Sequence, residues 1–162
     1  MTNAYVVILM GSKADLEHCQ KIAEAVNRFG INAVLRIGSA HKTPEHIMEL
    51  LNHYEADRIP KVYITVAGRS NALSGFTDAS VSAPVIACPP PSESFGGADI
   101  YSSLRMPSGV APGVVLEPVN AALLAAKILG LVNPEIQARV VSYQKQMSDK
   151  VIESDTSLRT QE

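Results

Sequence analysis

The sequence predicts a three-layer α/β domain in which helices cover both faces of a parallel sheet of five strands. Apolar, strand-like runs alternate with amphipathic helical runs along the chain, which is the pattern of such a sheet. The chain has 162 residues, of which 46% are hydrophobic, and no repeat or low-complexity linker divides it. This amount of apolar material suits one hydrophobic core, so we expect a single domain.

The first half of the chain contains three predicted strands and two predicted helices. The strands are apolar runs at residues 5–9, 32–37 and 61–66. Between them, apolar side chains recur at helical spacing, and Gly30 ends the first helix. The apolar faces are formed by Leu16, Ile22, Ala23, Val26 and Phe29 in the first helix and by Ile47, Leu50, Leu51 and Tyr54 in the second.

The second half contains two further predicted strands. Three prolines at 89–91 end the fourth strand, because proline cannot donate to a sheet. The segments 92–97 and 105–109 are candidates either for lids or for subunit contacts, and the sequence leaves both alternatives open. In chain order, the predicted elements are a short helix at 71–80, strand four at 83–87, a short helix at 99–104, strand five at 114–116 and an alanine-rich helix at 120–130.

The last part of the chain is predicted to serve assembly. Residues 134–153 have helical periodicity but follow a domain, residues 1–133, that already looks complete. We therefore expect this helix to pack on a neighbouring subunit of a homo-oligomer, a tetramer or an octamer. Residues 154–162 are polar, so we expect a disordered tail. The apolar stripe of the helix consists of Ile136, Val140, Tyr143, Met147 and Val151.

The composition excludes several classes of protein. With a net charge of −2, a pI near 6.1 and no tryptophan, the chain lacks the basic stripe and aromatic platform of a nucleic-acid binder. Its two cysteines, Cys19 and Cys88, have no metal-ligand spacing, so we expect buried free thiols and no metal site. No apolar run approaches the roughly 18 residues of a membrane span, so the expected location is the cytoplasm.

Polar residues suited to an anionic ligand follow the first two predicted strands, at 10–15 and 39–44. Each run leads into a helix, whose first N–H groups lack intrahelical partners and favour a phosphate or carboxylate. Gly11 allows the backbone to approach a ligand closely, and Ser12 and Ser39 add hydroxyl donors. Because ligands of such sheets bind at the carboxyl ends of strands, the two turns predict one anion site.

Three side chains in these turns are suited to binding and chemistry. Lys42 supplies a charge for a phosphate, and Asp15 can accept two hydrogen bonds from a ribose diol. His41, with an ordinary pKa of about 6.5, is the natural proton-transfer group near neutrality. A structural alternative remains, because Ser12 with Asp15 fits a capping box and residues 43–44 fit an ordinary helix start. The other histidines, in helical runs, are expected at surface or packing positions: His18, His46 and His53.

A third polar run, residues 67–71, follows strand three. The sheet order 2-1-3-4-5 would place it beside the first two turns. Gly68 and Ser70 suit a small polar reactant, although a helix N-cap at Ser70 or Asn71 explains these side chains equally well. Motifs for ATP cleavage, dinucleotide binding and serine hydrolysis are absent from the sequence.

Together, five motifs resemble the aminoimidazole ribonucleotide carboxylase/mutase family of de novo purine synthesis. The resemblance covers nearly the whole chain. It implies a flavodoxin-like domain, usually assembled as an octamer, that acts on an aminoimidazole nucleotide without metal or organic cofactor. The motifs are Met-Gly-Ser-Lys-x-Asp at 10–15, Ser-Ala-His-Lys-Thr-Pro at 39–44, Ala-Gly at 67–68, Leu-x-Met-Pro-x-Gly at 104–109 and Asn-Ala-Ala-Leu-Leu-Ala at 120–125.

The resemblance also implies roles for matching residues. It assigns Ser12 and Ser39 to the nucleotide phosphate, Asp15 to the ribose hydroxyls and His41 to proton transfer. Ala14 departs from a serine common in the family, so the phosphate would depend more on Lys42, which stands where many relatives have arginine. The predicted catalytic residue is His41, and the predicted substrate-binding residues are Gly11, Ser12, Asp15, Ser39, Ala40, Lys42, Gly68, Arg69 and Ser70.

The run after strand three indicates the branch of the family. The mutase branch has Gly-Ala-Gly-Gly-Ala-Ala-His-Leu-Pro-Gly where this chain has residues 66–75, and the loop histidine is replaced by Ala72. The sequences at 69–71, 88–90 and 102–105 are instead similar to the animal branch, which uses carbon dioxide directly. We therefore expect a carboxylase. The alternatives are a mutase that takes an N-carboxylated nucleotide and a nucleotide-binding domain without turnover.

Overall fold

A computed structural model of the chain describes residues 3–159. Its sheet has five parallel strands in the order β2-β1-β3-β4-β5, so the predicted order and the flavodoxin-like α/β fold are confirmed. The strands are β1 (Tyr5–Met10), β2 (Asn32–Ile37), β3 (Lys61–Val66), β4 (Val85–Ala87) and β5 (Gly113–Val114). The helices are α1 (Leu16–Arg28), α2 (Pro44–Glu55), α3 (Ala72–Asp78), α4 (Tyr101–Leu104), α5 (Pro118–Gly130) and α6 (Pro134–Arg159).

The central strand β1 sends alternate side chains into two cores, because successive residues of a strand point to opposite faces. Val6, Ile8 and Met10 enter the core formed with α1, α5 and the start of α6. Val7 and Leu9 enter the core formed with α2 and α3. These five side chains are at most 1% exposed, and burying each contributes about 1.5–3 kcal/mol. Helices therefore cover both faces of the sheet.

The register of the sheet brings three strand ends to the same level. Met10, the last residue of β1, lies opposite Ile37 of β2 and Val66 of β3. The hydrogen bonds continue one residue further, since the Gly11 N–H donates to Val66 O at 2.9 Å and the Gly38 N–H donates to Met10 O at 3.0 Å. The turns that follow β1, β2 and β3 therefore start side by side.

The C-terminal helix is longer than the sequence predicted. The predicted helix ended at 153 before a disordered tail, whereas α6 continues to Arg159. Local pairs support the extra turns, including the Arg159–Asp155 ion pair at 2.7 Å and a 2.7 Å hydrogen bond from Ser154 Oγ to Lys150 O. The polar residues 154–159 therefore form an exposed helix and not a disordered tail. Residues 160–162 lie outside the described part of the chain.

The first turns of α6 belong to the domain. Ile136 is fully buried and Val140 is 6% exposed in the core shared with α1 and α5, and Tyr143 packs edge-on against Phe29 with ring centroids 5.4 Å apart. The boundary expected at 133 therefore does not separate two packing units, because α1 and α5 leave an apolar groove that the periodicity could not reveal. Beyond Tyr143, the stripe is largely exposed, with Met147 38% and Val151 70% exposed. Leu158, seven residues further along α6, extends the stripe and is 67% exposed.

Both cysteines are buried and free, as predicted. Burial raises the pKa of Cys19 and of Cys88 to about 12, so both thiols are protonated near neutral pH. Among residues 3–159, no helix is long and apolar enough to cross a membrane.

Candidate active site

An open cleft of about 580 Å³ lies at the carboxyl ends of β1, β2 and β3. The ten site residues predicted from the sequence all line it, although they come from three separate segments of the chain. The lining residues are Gly11, Ser12, Ala14, Asp15, Ser39, Ala40, His41, Lys42, Ala67, Gly68, Arg69, Ser70 and Leu73. The placement at adjacent strand ends agrees with the sequence argument, and the roles of the residues remain predictions.

The turn after β1 approaches the turn after β3 closely. A Cβ added to Gly11 would lie 3.5 Å from the Cβ of Ala67, so a larger residue would intrude between the two turns. Ser12 Oγ accepts a hydrogen bond from the Ala14 N–H and donates one to Asp15 Oδ2, both at 3.3 Å. Ser12 and Asp15 therefore do form local hydrogen bonds at the start of the helix, as the capping alternative expects. However, both bonds are long, and Ser12 stays exposed and available to a ligand in the cleft.

The turn after β2 is closed by hydrogen bonds between Ser39 and Thr43. The Ser39 N–H donates to Thr43 Oγ1 at 2.9 Å, and the Thr43 N–H donates to Ser39 O at 2.8 Å. Thr43 precedes α2 but makes no side-chain cap to it. Its hydroxyl instead fixes the turn, so the exposed side chains of His41 and Lys42 are presented from a closed loop.

Sequence reasoning missed Gly38 in this turn. A Cβ added there would lie 2.7 Å from Ile47 Cγ1, so only glycine fits without displacing a buried side chain of α2. Gly38 thereby allows the first turn of α2 to lie against the end of β2. The available signal was a glycine directly between a strand and a polar turn, which often marks a close approach.

The turn after β3, residues 67–71, is held by a buried asparagine. Asn71 is 2% exposed, and its Oδ1 accepts from the Ser74 N–H at 3.2 Å, so Asn71 is the N-cap of α3. The structural interpretation is therefore correct for Asn71, whereas Ser70 remains exposed in the cleft. Arg69 has a φ of 58°, a left-handed conformation that is uncommon outside glycine.

A second cavity of about 400 Å³ adjoins the cleft. Ala67, Gly68 and Arg69 line both spaces, so the β3–α3 loop, residues 67–71, stands between them. No local pattern in the sequence predicts this cavity, although residues 88–90 resemble the animal branch. Its remaining lining residues are Pro89, Pro90, Pro91, Ser92, Gly97, Asp99, Ile100, Leu116 and Glu117.

The two segments of undecided role have different positions. Ser92 and Gly97, from the first segment, line the second cavity, and Ser92 Oγ donates to Asp99 Oδ2 at 2.8 Å. In the second segment, Met106 packs on α3, because a Cβ on Gly75 would lie 3.0 Å from its sulfur. The first segment therefore borders the second cavity. The second segment packs against α3, the helix that follows the β3–α3 loop.

His18 contacts Cys88, the residue before the three prolines that line the second cavity. Its Nε2 lies 3.5 Å from Cys88 Sγ, and burial lowers the pKa of His18. This half-buried histidine fits the expected packing role. Among the described residues, no three His, Cys, Asp or Glu side chains are grouped so that they could hold a metal ion.

Comparison with known proteins identifies the family. Residues 5–150 match the family model described as AIR carboxylase, where AIR is aminoimidazole ribonucleotide. Phosphoribosylaminoimidazole carboxylase of Treponema denticola is 59% identical over 154 residues, which cover 95% of this chain and 97% of that protein. The corresponding enzyme of Archaeoglobus fulgidus is 55% identical over 94% of this chain and 84% of that protein.

Animal and structural relatives agree. The human bifunctional phosphoribosylaminoimidazole carboxylase/phosphoribosylaminoimidazole succinocarboxamide synthetase is 48% identical over 79% of this chain, which matches 30% of that longer protein. The crystal structure of Treponema denticola PurE superposes with a TM-score of 0.94 at 59% identity, covering 96% of this chain and 98% of that one. The chain therefore belongs to the AIR carboxylase family.

Proposed function

We propose that this protein is a phosphoribosylaminoimidazole carboxylase of de novo purine (IMP) biosynthesis. It combines 5-aminoimidazole ribonucleotide with carbon dioxide to give the 4-carboxylate, reversibly and without ATP. The observation that carries the proposal is the single cleft in which two anion-binding turns, a histidine and the β3–α3 loop meet. The near full-length relatives named for this activity support it.

The nucleotide binds along the turns that follow β1 and β2. Its phosphate takes hydrogen bonds from Ser12 and Ser39 and charge from Lys42, all of which line the cleft. Ala14 also lines the cleft but has no hydroxyl to offer, so Lys42 carries a larger share of the phosphate contact. Asp15 accepts the ribose hydroxyls. Gly11 and Ala40 supply backbone and little bulk, which leaves room for the ligand.

His41 is the proton-transfer group. Attack of the enamine-like C4 of the ring on carbon dioxide forms the new C–C bond and leaves C4 tetrahedral, with its hydrogen still attached. His41 accepts that proton, the ring regains its aromaticity, and the protonated histidine returns the proton in the reverse direction. Such a positioned base contributes typically ~10²–10⁴-fold. Its exposure in the cleft places it within reach of a ligand bound at the two turns.

Carbon dioxide is held by the β3–α3 loop. A neutral linear molecule offers no charge to bind, so backbone and hydroxyl dipoles at Gly68 and Ser70 must orient it against C4. Arg69 lines both the cleft and the second cavity, where its guanidinium can pair with the carboxylate as it forms.

The test is an assay with aminoimidazole ribonucleotide and bicarbonate in the absence of ATP, in which we expect formation of the 4-carboxylate. Initial rates on the N-carboxylated nucleotide are then compared with and without carbonic anhydrase. We expect that compound to react only through the free nucleotide and carbon dioxide released by its decay. Rapid turnover while free carbon dioxide is kept depleted would instead establish the mutase, and binding without either reaction would establish a non-catalytic domain.

We also propose that the protein is a cytoplasmic homo-oligomer of four or eight chains. The support is the apolar stripe on the distal half of α6, where Met147, Val151 and Leu158 are exposed at helical spacing. Deletion after Pro134 would weaken association but would also remove Ile136 and Val140 from the core. Substitution of the stripe is therefore the sharper test.

The substitution Val151→Gln with Leu158→Gln should lower the mass measured by light scattering, while the exposed pair Lys150→Gln with Glu153→Gln should leave it unchanged. A 17.3 kDa particle for the wild-type chain at micromolar concentration would contradict the assembly.

A further inference from the structure

Two serines of the short helix α4 hold the β3–α3 loop without lining either cavity. Ser102 Oγ accepts a hydrogen bond from the Asn71 N–H at 2.9 Å. The same oxygen lies 3.2 Å from Arg69 O and 2.8 Å from Asp99 O, so its single proton is donated to one of these two carbonyls. One hydroxyl therefore contacts the backbone on both sides of Ser70.

The second serine, Ser103, holds the same loop through the buried side chain of Asn71. Ser103 Oγ accepts from Asn71 Nδ2 at 2.9 Å, and both residues are 2% exposed. Because Asn71 also caps α3 through the Ser74 N–H, its side chain connects α3 to α4. The buried hydrogen bond between Asn71 and Ser103 thus fixes the end of the loop at Asn71. Ser102 contacts the backbone just before that point.

The conformation that these contacts maintain is an unusual one. Arg69 has a φ of 58°, and a non-glycine residue keeps such a backbone only when its surroundings hold it. Ser102 Oγ lies against Arg69 O and accepts from the Asn71 N–H, while the Ala72 N–H donates to Ser70 O at 3.0 Å within the loop. Loss of the hydroxyl removes both Ser102 contacts at once and permits the exposed residues Arg69 and Ser70 to adopt other conformations.

We propose that Ser102 is a positioning residue that sets the geometry of Arg69 and Ser70 and thereby the affinity for carbon dioxide. The inference rests on the proposed function, in which this loop orients carbon dioxide against the nucleotide. The phosphate and ribose contacts belong to the turns after β1 and β2, which Ser102 does not touch. Loss of the Ser102 hydroxyl should therefore change the KM for carbon dioxide without changing the KM for the nucleotide.

The kinetic test compares Ser102→Ala with Ser102→Thr, which keeps the hydroxyl. Ser80→Ala is the matched control, because Ser80 Oγ also donates to a backbone carbonyl, Phe76 O at 2.7 Å, but lies at the end of α3 away from both cavities. For Ser102→Ala we expect the KM for carbon dioxide to rise about tenfold, as for one lost hydrogen bond, with the nucleotide KM unchanged. Ser102→Thr should restore most of the loss, and Ser80→Ala should match the wild type.

A second readout does not depend on activity. Amide hydrogen exchange of a peptide covering 67–73 should accelerate in Ser102→Ala and stay protected in Ser80→Ala, with the rest of the chain unchanged. Unchanged exchange in this peptide together with an unchanged KM for carbon dioxide would overturn the inference. So would accelerated exchange throughout the chain with both KM values altered, since that is general destabilisation. Absence of carboxylation by the wild-type protein would refute the proposed function instead, and the exchange comparison would still decide the role of Ser102 in the loop.

Discussion

Polar side chains at the two ends of the sheet differ in their partners: those described at the amino end bond within the protein, and those at the carboxyl end face solvent. At the amino end, Lys61 is 7% exposed and donates to Tyr54 O at 2.7 Å and Asp57 O at 2.9 Å, and it pairs with the Asp57 carboxylate at 2.8 Å. Nearby, Tyr63 OH donates to Glu55 Oε1 at 2.9 Å. These side chains therefore face one another or the backbone, and they form hydrogen bonds within the protein.

At the carboxyl end, the cleft is lined by polar groups that face solvent. His41 and Lys42 are exposed, and among residues 3–159 their side chains have no hydrogen-bond or ion-pair partner. Titratable groups therefore lie at both ends of the sheet. The difference teaches that chemical type alone does not indicate function: paired groups contribute to stability, whereas unpaired groups in a concave site are available to a ligand.

The largest expected effect is at the carboxyl end. His41→Asn removes the proposed proton acceptor but keeps a polar side chain, so the turnover rate should fall at least ~10²-fold while nucleotide affinity changes far less. His53→Asn, on the exposed surface of α2, is the control and should behave as the wild type. Rates and nucleotide dissociation constants are measured for both variants. A His41→Asn enzyme within about tenfold of the wild-type rate would remove the proposed role.

At the amino end, we expect an effect on stability rather than on activity. Lys61→Met removes the donor to two backbone carbonyls and should lower the free energy of unfolding by about 2 kcal/mol, with the kcat of the folded enzyme unchanged. The control is Lys21→Met, which removes an exposed ion pair to Glu17 at 2.9 Å and should have no measurable effect. Denaturation is compared at one protein concentration. A large loss of kcat in folded Lys61→Met would contradict the conclusion that the amino end contributes to stability and not to activity.

A smaller effect should distinguish binding from chemistry within the cleft. Lys42→Met removes the charge proposed for the phosphate, so the nucleotide KM should rise about tenfold with kcat nearly unchanged. Lys127→Met, on an exposed site near the end of α5, tests the general effect of one lost charge. Steady-state kinetics at varied nucleotide concentration measure both. An unchanged KM in Lys42→Met would assign the phosphate to the backbone and the serines alone.

The smallest expected effect is the pH dependence of the amino end. The hydrogen bond from Lys61, aided by those from Tyr5 OH and the Ile59 N–H, holds the pKa of Asp57 below its ordinary value. Because the folded-state pKa is depressed, the stabilisation is present above about pH 3.9 and is lost as the pH falls through the folded-state pKa. The Asp57 side chain is 41% exposed, so solvent screening keeps the effect modest.

Asp57→Asn should therefore lower the Tm at pH 7, and the difference from the wild type should shrink on acidification below about pH 3.9. Glu24→Gln, on the exposed face of α1, should show no such convergence. Thermal unfolding across this pH range measures it. A Tm difference that stays constant down to pH 2 would indicate that the Asp57 carboxylate does not stabilise the fold through its charge.

The sequence predicted the elements that depend on short-range patterns. The strands at 32–37 and 61–66 have the predicted bounds, and β1 differs by one residue. Such runs could be found because alternation, helical periodicity and turn residues act within a few positions. The shortest elements were less accurate: β5 covers only Gly113–Val114, where 114–116 was predicted, since two residues carry no period.

Long-range contacts were not predictable in the same way. Ser102 could be noted only for its resemblance to the animal branch, since nothing within its own short helix shows that it meets a backbone more than 30 residues away. The burial of Ile136 and Val140 depends on a groove between α1 and α5 that no local pattern describes. The hydrogen bonds of Lys61 depend likewise on where α2 ends relative to β3.

The sequence by itself determined the order of strands and helices, the position of each polar turn and the chemistry that those turns can offer, because these are encoded by neighbouring residues. Only the tertiary structure decided which of the polar groups face a common space and which face one another. The register of β1 with β2 and β3 brings Gly11, His41 and Ser70 into one cleft, although they are tens of residues apart in the chain. Such contacts form only when the whole sheet is assembled, because pairing positions so distant carries a loop-closure cost that no local interaction repays.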